Sequence, residues 1–270
     1  QSMKTPHKLP DLAKSLLCIG LDSDFAKLPA SFKEEQFPQF EFNKWIIDQT
    51  HKFASAYKPN IAFYEAQGLQ GMNELRLTIE YLEETHPESF IIIDAKRADI
   101  GSTNEGYVTA IFDRLGADAV TLSPYLGEEA LRPFLDRTDK TSIILCKTSN
   151  PGSGELQDLP VQHGKKQVPL WHHVADRVAN HWNTAGNCML VVGATYPEEL
   201  KKVRSIVGDM TILVPGIGAQ GGDIEAVLKN ALTKQNSGVL INVGRSIIFA
   251  ENPADEAENM HRAFQAGRSH

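Results

Sequence analysis

The sequence predicts an α/β protein, a (β/α)8 or TIM barrel forming a single domain over residues 4–270, and three observations carry the prediction. Short apolar runs recur along the whole chain, and segments with helical spacing lie between them. The glycine-rich dinucleotide turn of an open doubly wound sheet is missing after the first run. A chain of 270 residues also suits one such barrel, commonly about 250 residues long.

The runs are Leu16–Leu21, Ala56–Ala62, Phe90–Ile93, Ala119–Leu122, Ser142–Cys146, Cys188–Val192, Thr211–Val214 and Gly238–Val243. Each has the length of a buried strand. Most are rich in Ile, Val or Leu without strict alternation, as in strands covered on both faces. Trp45, Ile46, Gln49 and Phe53 fit one face of a helix, as do Val108, Ile111, Phe112 and Leu115, and again Val174, Val178 and Trp182. The stretch Thr148–Val168, with two prolines and three glycines, reads as irregular and would overhang one end of the barrel as a lid or wall. Gln1-Ser2 before Met3 reads as an expression remnant, with Met3 as the initiator.

Composition excludes several classes. Lys and Arg number 27 against 34 Asp and Glu, a formal net charge of −7, which argues against a nucleic-acid or anionic-membrane partner. Cys18, Cys146 and Cys188 lack metal spacing and sit in or beside apolar runs, so they read as buried free thiols of a reducing, cytoplasmic compartment. No apolar stretch approaches a membrane span, and no secretory leader is expected.

The third run drives straight into charge: Asp94, Lys96, Arg97 and Asp99. Residues two apart on a strand share a face, so Asp94 and Lys96 should point the same way at the strand's end. Gly101-Ser102-Thr103 reads as the turn that ends the strand, with Asp99 just beyond Lys96. Half-buried charges of this kind either form a structural ion-pair cluster or perform chemistry. Barrel enzymes gather their reactive groups where strands end, and polar residues recur there in this chain. They are Asp22 after the first strand, Lys58 in the second, Ser149 after the fifth, Pro215 through Gly222 after the seventh, and Asn242-Val243-Gly244-Arg245-Ser246 at the eighth. Glycines in the last two loops would let backbone N–H groups approach an anion at a helix start, and Arg245 could grip phosphate. The competing reading is that these glycines only close tight turns.

Asp94-Ala95-Lys96-Arg97-Ala98-Asp99-Ile100-Gly101-Ser102-Thr103 resembles the D-x-K-x-x-D-I-x-x-T signature of the orotidine 5′-monophosphate decarboxylase family. Asp22, Lys58 in YKPN, Ser149 in KTSNPG, VVGAT at Val191–Thr195, PGIGAQGG at Pro215–Gly222 and VGRS at Val243–Ser246 appear in the family's order. The long loop after the fifth strand is similar to that of the branch with longer bacterial chains. The resemblance implies a homodimer without cofactor or metal that converts orotidine 5′-monophosphate to uridine 5′-monophosphate and carbon dioxide in pyrimidine synthesis. It implies that Lys96 protonates C6 of the pyrimidine and that Asp94 lies beside the substrate carboxylate. Asp99, Ile100 and Thr103 would reach into the neighbouring subunit's site. Asp22 and Lys58 would meet the ribose, with Lys58 also in the Asp–Lys network, and Ser149 would meet the ring. Pro215 and Gln220 fall in the phosphate-side loop, and Gly244 and Arg245 would hold the phosphate. No matched position departs from the pattern.

The chemistry suits these residue types. Loss of carbon dioxide leaves a localised carbanion, which a fixed ammonium stabilises and then protonates. Flanking carboxylates keep such a lysine charged. Two rival readings remain at this level. One is a metal-dependent phosphosugar enzyme on the same barrel, in which a carboxylate generally stands where this chain has Lys58. The other is a catalytically silent nucleotide-phosphate binder.

Overall fold

In a computed structural model that describes residues 7–217 and 223–268, eight parallel strands close into a barrel. The strands in chain order are β1 (Leu17–Leu21), β2 (Ala56–Pro59), β3 (Phe90–Arg97), β4 (Ala119–Leu122), β5 (Thr141–Lys147), β6 (Pro160–His163), β7 (Lys166–Pro169), β8 (Cys188–Val192), β9 (Ile212–Pro215) and β10 (Val239–Val243). β6 and β7 form a separate antiparallel hairpin. The other eight run β1-β10-β9-β8-β5-β4-β3-β2, with closure at Leu17↔Ile241 and Cys18↔Asn242. One principal helix follows each barrel strand: α1 (Pro38–Thr50), α2 (Gly68–Thr85), α3 (Gly101–Val108), α4 (Gly127–Leu135), α5 (Leu170–Arg177), α6 (Pro197–Val207), α7 (Ile224–Ala231) and α8 (Pro253–Arg268). This is the (β/α)8 barrel the sequence predicts. Proline at the first turn of α1 and of α6 presets the helical φ where no backbone donor is needed.

The period of two explains why apolar runs form strands buried on both faces. Cys18, Ala56, Phe90, Ile92, Ala119, Ile143, Met189, Val191, Leu213 and Leu240 form one cluster in the barrel interior. Their strand neighbours, among them Leu17, Ile19, Tyr57, Ile91, Ile93, Val120, Ile144 and Ile241, pack outward with the helices in a second cluster. Each fully buried aliphatic side chain contributes about 1.5–3 kcal/mol, so two such layers can hold a polar rim in place. Continuing the inward parity toward the strand ends replaces hydrocarbon with Lys58, Asp94, Thr121 and Asn242, all buried. The apolar floor thus gives way to a polar mouth along the same set of inward positions.

Four local expectations are corrected. The second strand ends at Pro59, not Ala62, because Asn60 caps a helical turn at Ile61–Glu65, its side chain accepting from the Ala62 N–H at 3.2 Å. The third strand runs on to Arg97, and Gly101-Ser102-Thr103 opens α3 instead of forming a turn. Gln49 is exposed; Thr50 holds the inward position and donates to the Ile46 carbonyl at 2.7 Å. The stretch Thr148–Val168 is largely structured, with helical turns at Pro151–Ser153 and Gly154–Gln157 followed by the β6–β7 hairpin.

Candidate active site

At the C-terminal end of the barrel, Asp94 lies between two ammonium groups. Lys58 Nζ donates to Asp94 Oδ2 at 2.7 Å, and Lys96 Nζ donates to Asp94 Oδ1 at 2.6 Å. Lys58 and Asp94 are buried, whereas the Lys96 side chain is 51 % exposed, so this row has one end in the protein and one facing solvent. Burial alone would raise the Asp94 carboxyl, but the Lys58 and Lys96 charges and hydrogen bonds overcome it and hold the group well below the usual carboxylate range. Burial likewise works against the Lys58 ammonium, yet Asp94 and then Asp22 raise it above the ordinary lysine value.

The local backbone explains how Asp94 and Lys96 meet. Pairing between β3 and β4 shifts register between Ile93 and Arg97. Lys96 adopts φ +49°, a left-handed conformation uncommon for a side-chain-bearing residue. Thr121 on β4 fills the gap. Its hydroxyl donates to Asp94 Oδ1 at 2.9 Å and accepts from the N–H groups of Ala95 and Lys96, each at 3.0 Å. Sequence reasoning missed Thr121, because one threonine in AVTL reads as ordinary strand propensity. Only its inward parity beside Asp94 could have singled it out.

Asp22 follows β1 and is close enough to feel Lys58, Asp94, Arg245 and Lys96. Burial raises its carboxyl, and Lys58 only partly opposes this. Asp22 Oδ1 and Asn242 Oδ1 are both buried without a hydrogen-bond donor among the described residues. Gly244 lies against this carboxylate: a Cβ there would stand 3.0 Å from Asp22 Oδ2. Arg245 is exposed at the start of a helical turn, Arg245–Ile248. Ser149 lies beside Gly193, where a Cβ would approach the serine Cβ to 2.9 Å. Pro215 ends β9, and Gln220 lies outside the described residues.

One expectation changes in detail. The sequence predicts that the helix after β9 offers its N–H groups to an anion. Instead Asp223 caps it, accepting from Glu225 and Ala226 at 2.9 and 3.4 Å, so those donors and their partial positive charge are already engaged. Asp99 does not join the Lys58–Asp94–Lys96 row and makes no ion pair among the described residues. Its Oδ1 accepts from the Ile100 N–H at 2.8 Å, and the Asn104 side chain clamps its backbone. Ile100 and Thr103 are exposed on the same segment. A cavity of about 750 Å³ lined by Tyr125, Leu156, Trp171 and Trp182 contains none of these charged residues, so size alone does not locate the chemistry. Among the described residues, no group of three or more His, Cys, Asp and Glu is arranged to hold a metal ion.

Known proteins share this architecture and sequence. A protein of Janthinobacterium sp. (strain Marseille) named orotidine 5′-phosphate decarboxylase is 49 % identical over 243 residues, 90 % of this chain and 87 % of its own. Another so named, from Cellvibrio japonicus (strain Ueda107), is 46 % identical over 246 residues, 90 % of this chain and 88 % of its own. The solved structure of Leishmania donovani OMP decarboxylase superposes with a TM-score of 0.85 at 39 % identity, covering 96 % of both chains. A family model described as orotidine 5′-phosphate decarboxylase / HUMPS family matches residues 15–260, which spans the barrel from its first strand into its last helix, and the chain belongs to that family.

Proposed function

We propose that this chain decarboxylates orotidine 5′-monophosphate to uridine 5′-monophosphate with protein groups alone, and that Lys96 is the proton donor. The observation that carries the reading is the carboxylate of Asp94 held between Lys58 and Lys96 at 2.7 and 2.6 Å. In the reaction the bond from C6 to the carboxylate breaks, carbon dioxide departs, and the electron pair stays on C6. The Lys96 ammonium stabilises that pair and then gives C6 a proton. Half exposure of Lys96 suits both jobs, since the ammonium can meet substrate and afterwards regain a proton from solvent. Lys58, buried and fixed, keeps Asp94 ionised whichever way Lys96 swings.

The remaining assignments follow the ends of the nucleotide. Asp22, with an undonated buried oxygen, suits a ribose hydroxyl, which can supply the missing donor. Gly244 and Arg245 would take the phosphate by backbone N–H and guanidinium, with Pro215 and Gln220 on the same side. Remote phosphate binding would then help organise the charged row. Ser149 would face the pyrimidine. A homodimer with shared sites would bring Asp99, Ile100 and Thr103 to the partner's substrate. Two observations support it: Asp99 makes no ion pair among the described residues, and the adjoining rim exposes Ile100 (62 %) and Tyr125 (83 %). Three free buried thiols are consistent with a reducing cytoplasm.

A metal-dependent phosphosugar reaction is disfavoured because Lys58 occupies Asp94 and places a cation where a divalent metal would need carboxylates. Purified protein should convert orotidine monophosphate to uridine monophosphate and carbon dioxide equally well with and without chelator. Folded Lys96→Ala should lose about 10⁴-fold or more in kcat. No turnover, or turnover abolished by chelator, would refute the proposal. Near-normal turnover by Lys96→Ala would refute the role given to Lys96.

A further inference from the structure

Lys147, the last residue of β5, is 1 % exposed, and the chemistry above does not use its charge. Its Nζ donates to Asp158 Oδ1 at 2.7 Å and to Ser153 Oγ at 3.5 Å, and it lies 4.7 Å from the ring centroid of Tyr196. These partners come from three places: the middle of the excursion after β5, its first helical turn, and the segment after β8. Ser153 Oγ and the Tyr196 hydroxyl also meet at 3.2 Å. The ammonium therefore satisfies its donors on a carboxylate, a hydroxyl and an aromatic face, and burial strengthens each contact.

Ser149 lies inside the loop that the Lys147–Asp158 pair closes. Gln157 braces that loop from within, accepting from the Thr148 N–H at 2.8 Å and donating to Thr148 Oγ1 at 2.7 Å. On the other side, the Gly193 N–H donates to the Lys147 carbonyl at 2.8 Å, and the absence of a side chain at Gly193 is what lets Ser149 lie so close, since a Cβ there would stand 2.9 Å from the serine Cβ. The register between β5 and β8 shifts between Leu145 and Lys147, so the ladder alone does not fix the backbone that leads into Ser149.

We propose that Lys147 is a positioning residue, whose buried ammonium ties the excursion after β5 to Tyr196 and so sets Ser149 against Gly193 for contact with the substrate's ring. The inference rests on the ring contact assigned to Ser149 above. It predicts that Lys147 and Ser149 act as one unit. Per folded active site, Lys147→Met and Ser149→Ala should each lower kcat/KM for orotidine monophosphate by about 10- to 100-fold. The double variant should lose no more than about twofold beyond the worse single one. Affinity for ribose 5-phosphate, which carries the phosphate but no ring, should stay within about twofold of wild type in all three.

A merely structural Lys147 would lower thermal stability and yield, yet leave kcat/KM per folded site unchanged, or reduce ring-bearing and ring-free ligands alike. Should Lys147→Met fail to fold, Asp158→Asn removes the same ion pair from a half-exposed position and carries the same cycle. If Ser149→Ala is fully active, the ring assignment falls and the inference with it. If Ser149→Ala is impaired while the Lys147 or Asp158 variant is not, or if the two losses multiply, the inference alone is overturned.

Discussion

Replacing Thr121 by valine keeps the side chain's shape and removes one hydroxyl, which in this barrel has three tasks. The hydroxyl donates to an ionised, buried carboxylate, a contact worth about 1.5–3 kcal/mol. It also accepts from two N–H groups at the register shift that would otherwise lack a partner. Those N–H groups are only part-buried, so water can replace some of the loss, and roughly 0.5–1 kcal/mol each is a fair charge-free value. The sum is about 2.5–5 kcal/mol. At this chain length that lowers Tm by about 5–20 °C, using roughly 2–4 °C per kcal/mol. Lys96 bends the strand at φ +49°, and the lost hydroxyl bonds are what hold that bend. A displacement of about 1 Å at Lys96 would lower kcat by about 100-fold, with little change in affinity at the phosphate end. Differential scanning fluorimetry and steady-state decarboxylation read the two arms separately. Thr121→Ser should restore both. Thr121→Val with wild-type Tm would refute the reasoning about the strand bend, and wild-type kcat in a destabilised protein would separate the bend from the chemistry.

Arg245→Ala should raise KM for orotidine monophosphate by about 10- to 100-fold through loss of a charge-assisted phosphate contact, while turnover of orotidine lacking the phosphate stays unchanged; equal losses on both would reject Arg245 as the phosphate ligand. Asp22→Asn should raise Tm at neutral pH yet weaken substrate binding. Its carboxyl is raised by burial, so ionisation costs the folded state free energy above the unfolded pKa of about 3.9; the gain in Tm should vanish below about pH 4, and a gain that persists there would show a different cause. Mixing inactive Lys96→Ala and Asp99→Ala chains should restore roughly a quarter of wild-type activity, because about half the dimers are hybrids with one intact site each; no recovery after verified subunit exchange would place Asp99 in its own chain's site.

The barrel was legible because its signal is redundant. Eight apolar runs repeat one physical message, and strands such as Cys188–Val192 carry it without ambiguity. Boundaries failed where a side chain intervened, as when Asn60 caps a turn in the middle of a hydrophobic run. At the site, parity alone put Asp94 and Lys96 on one side, and the row they form with Lys58 follows from strand-end charges. Partner choice across strands was not legible. Nothing local to AVTL says that Thr121 will bridge Asp94 and the bend at Lys96. Nothing in KTSNPG says that Lys147 will seek Asp158 eleven residues on and Tyr196 after the next barrel strand. The roles toward substrate came from resemblance, since spacing records which groups gather and not what they touch.

The buried carboxylate of Asp94 and the half-buried one of Asp22, both beside Lys58, show how the barrel divides stability from binding. Asp94 receives two ammonium groups and a hydroxyl, and the gain exceeds the cost of burial. Among the described residues Asp22 receives only longer-range attraction, and burial prevails. Such an asymmetry costs the fold stability, because Asp22 has a buried oxygen without a donor among the described residues. It becomes useful once a ligand hydroxyl supplies the donor, since desolvation already incurred on folding need not be incurred again on binding. Asp94 is therefore the carboxylate the protein completes for itself, keeping Lys96 aligned whether or not substrate is present. On the proposed reading, Asp22 is the one left for substrate to complete.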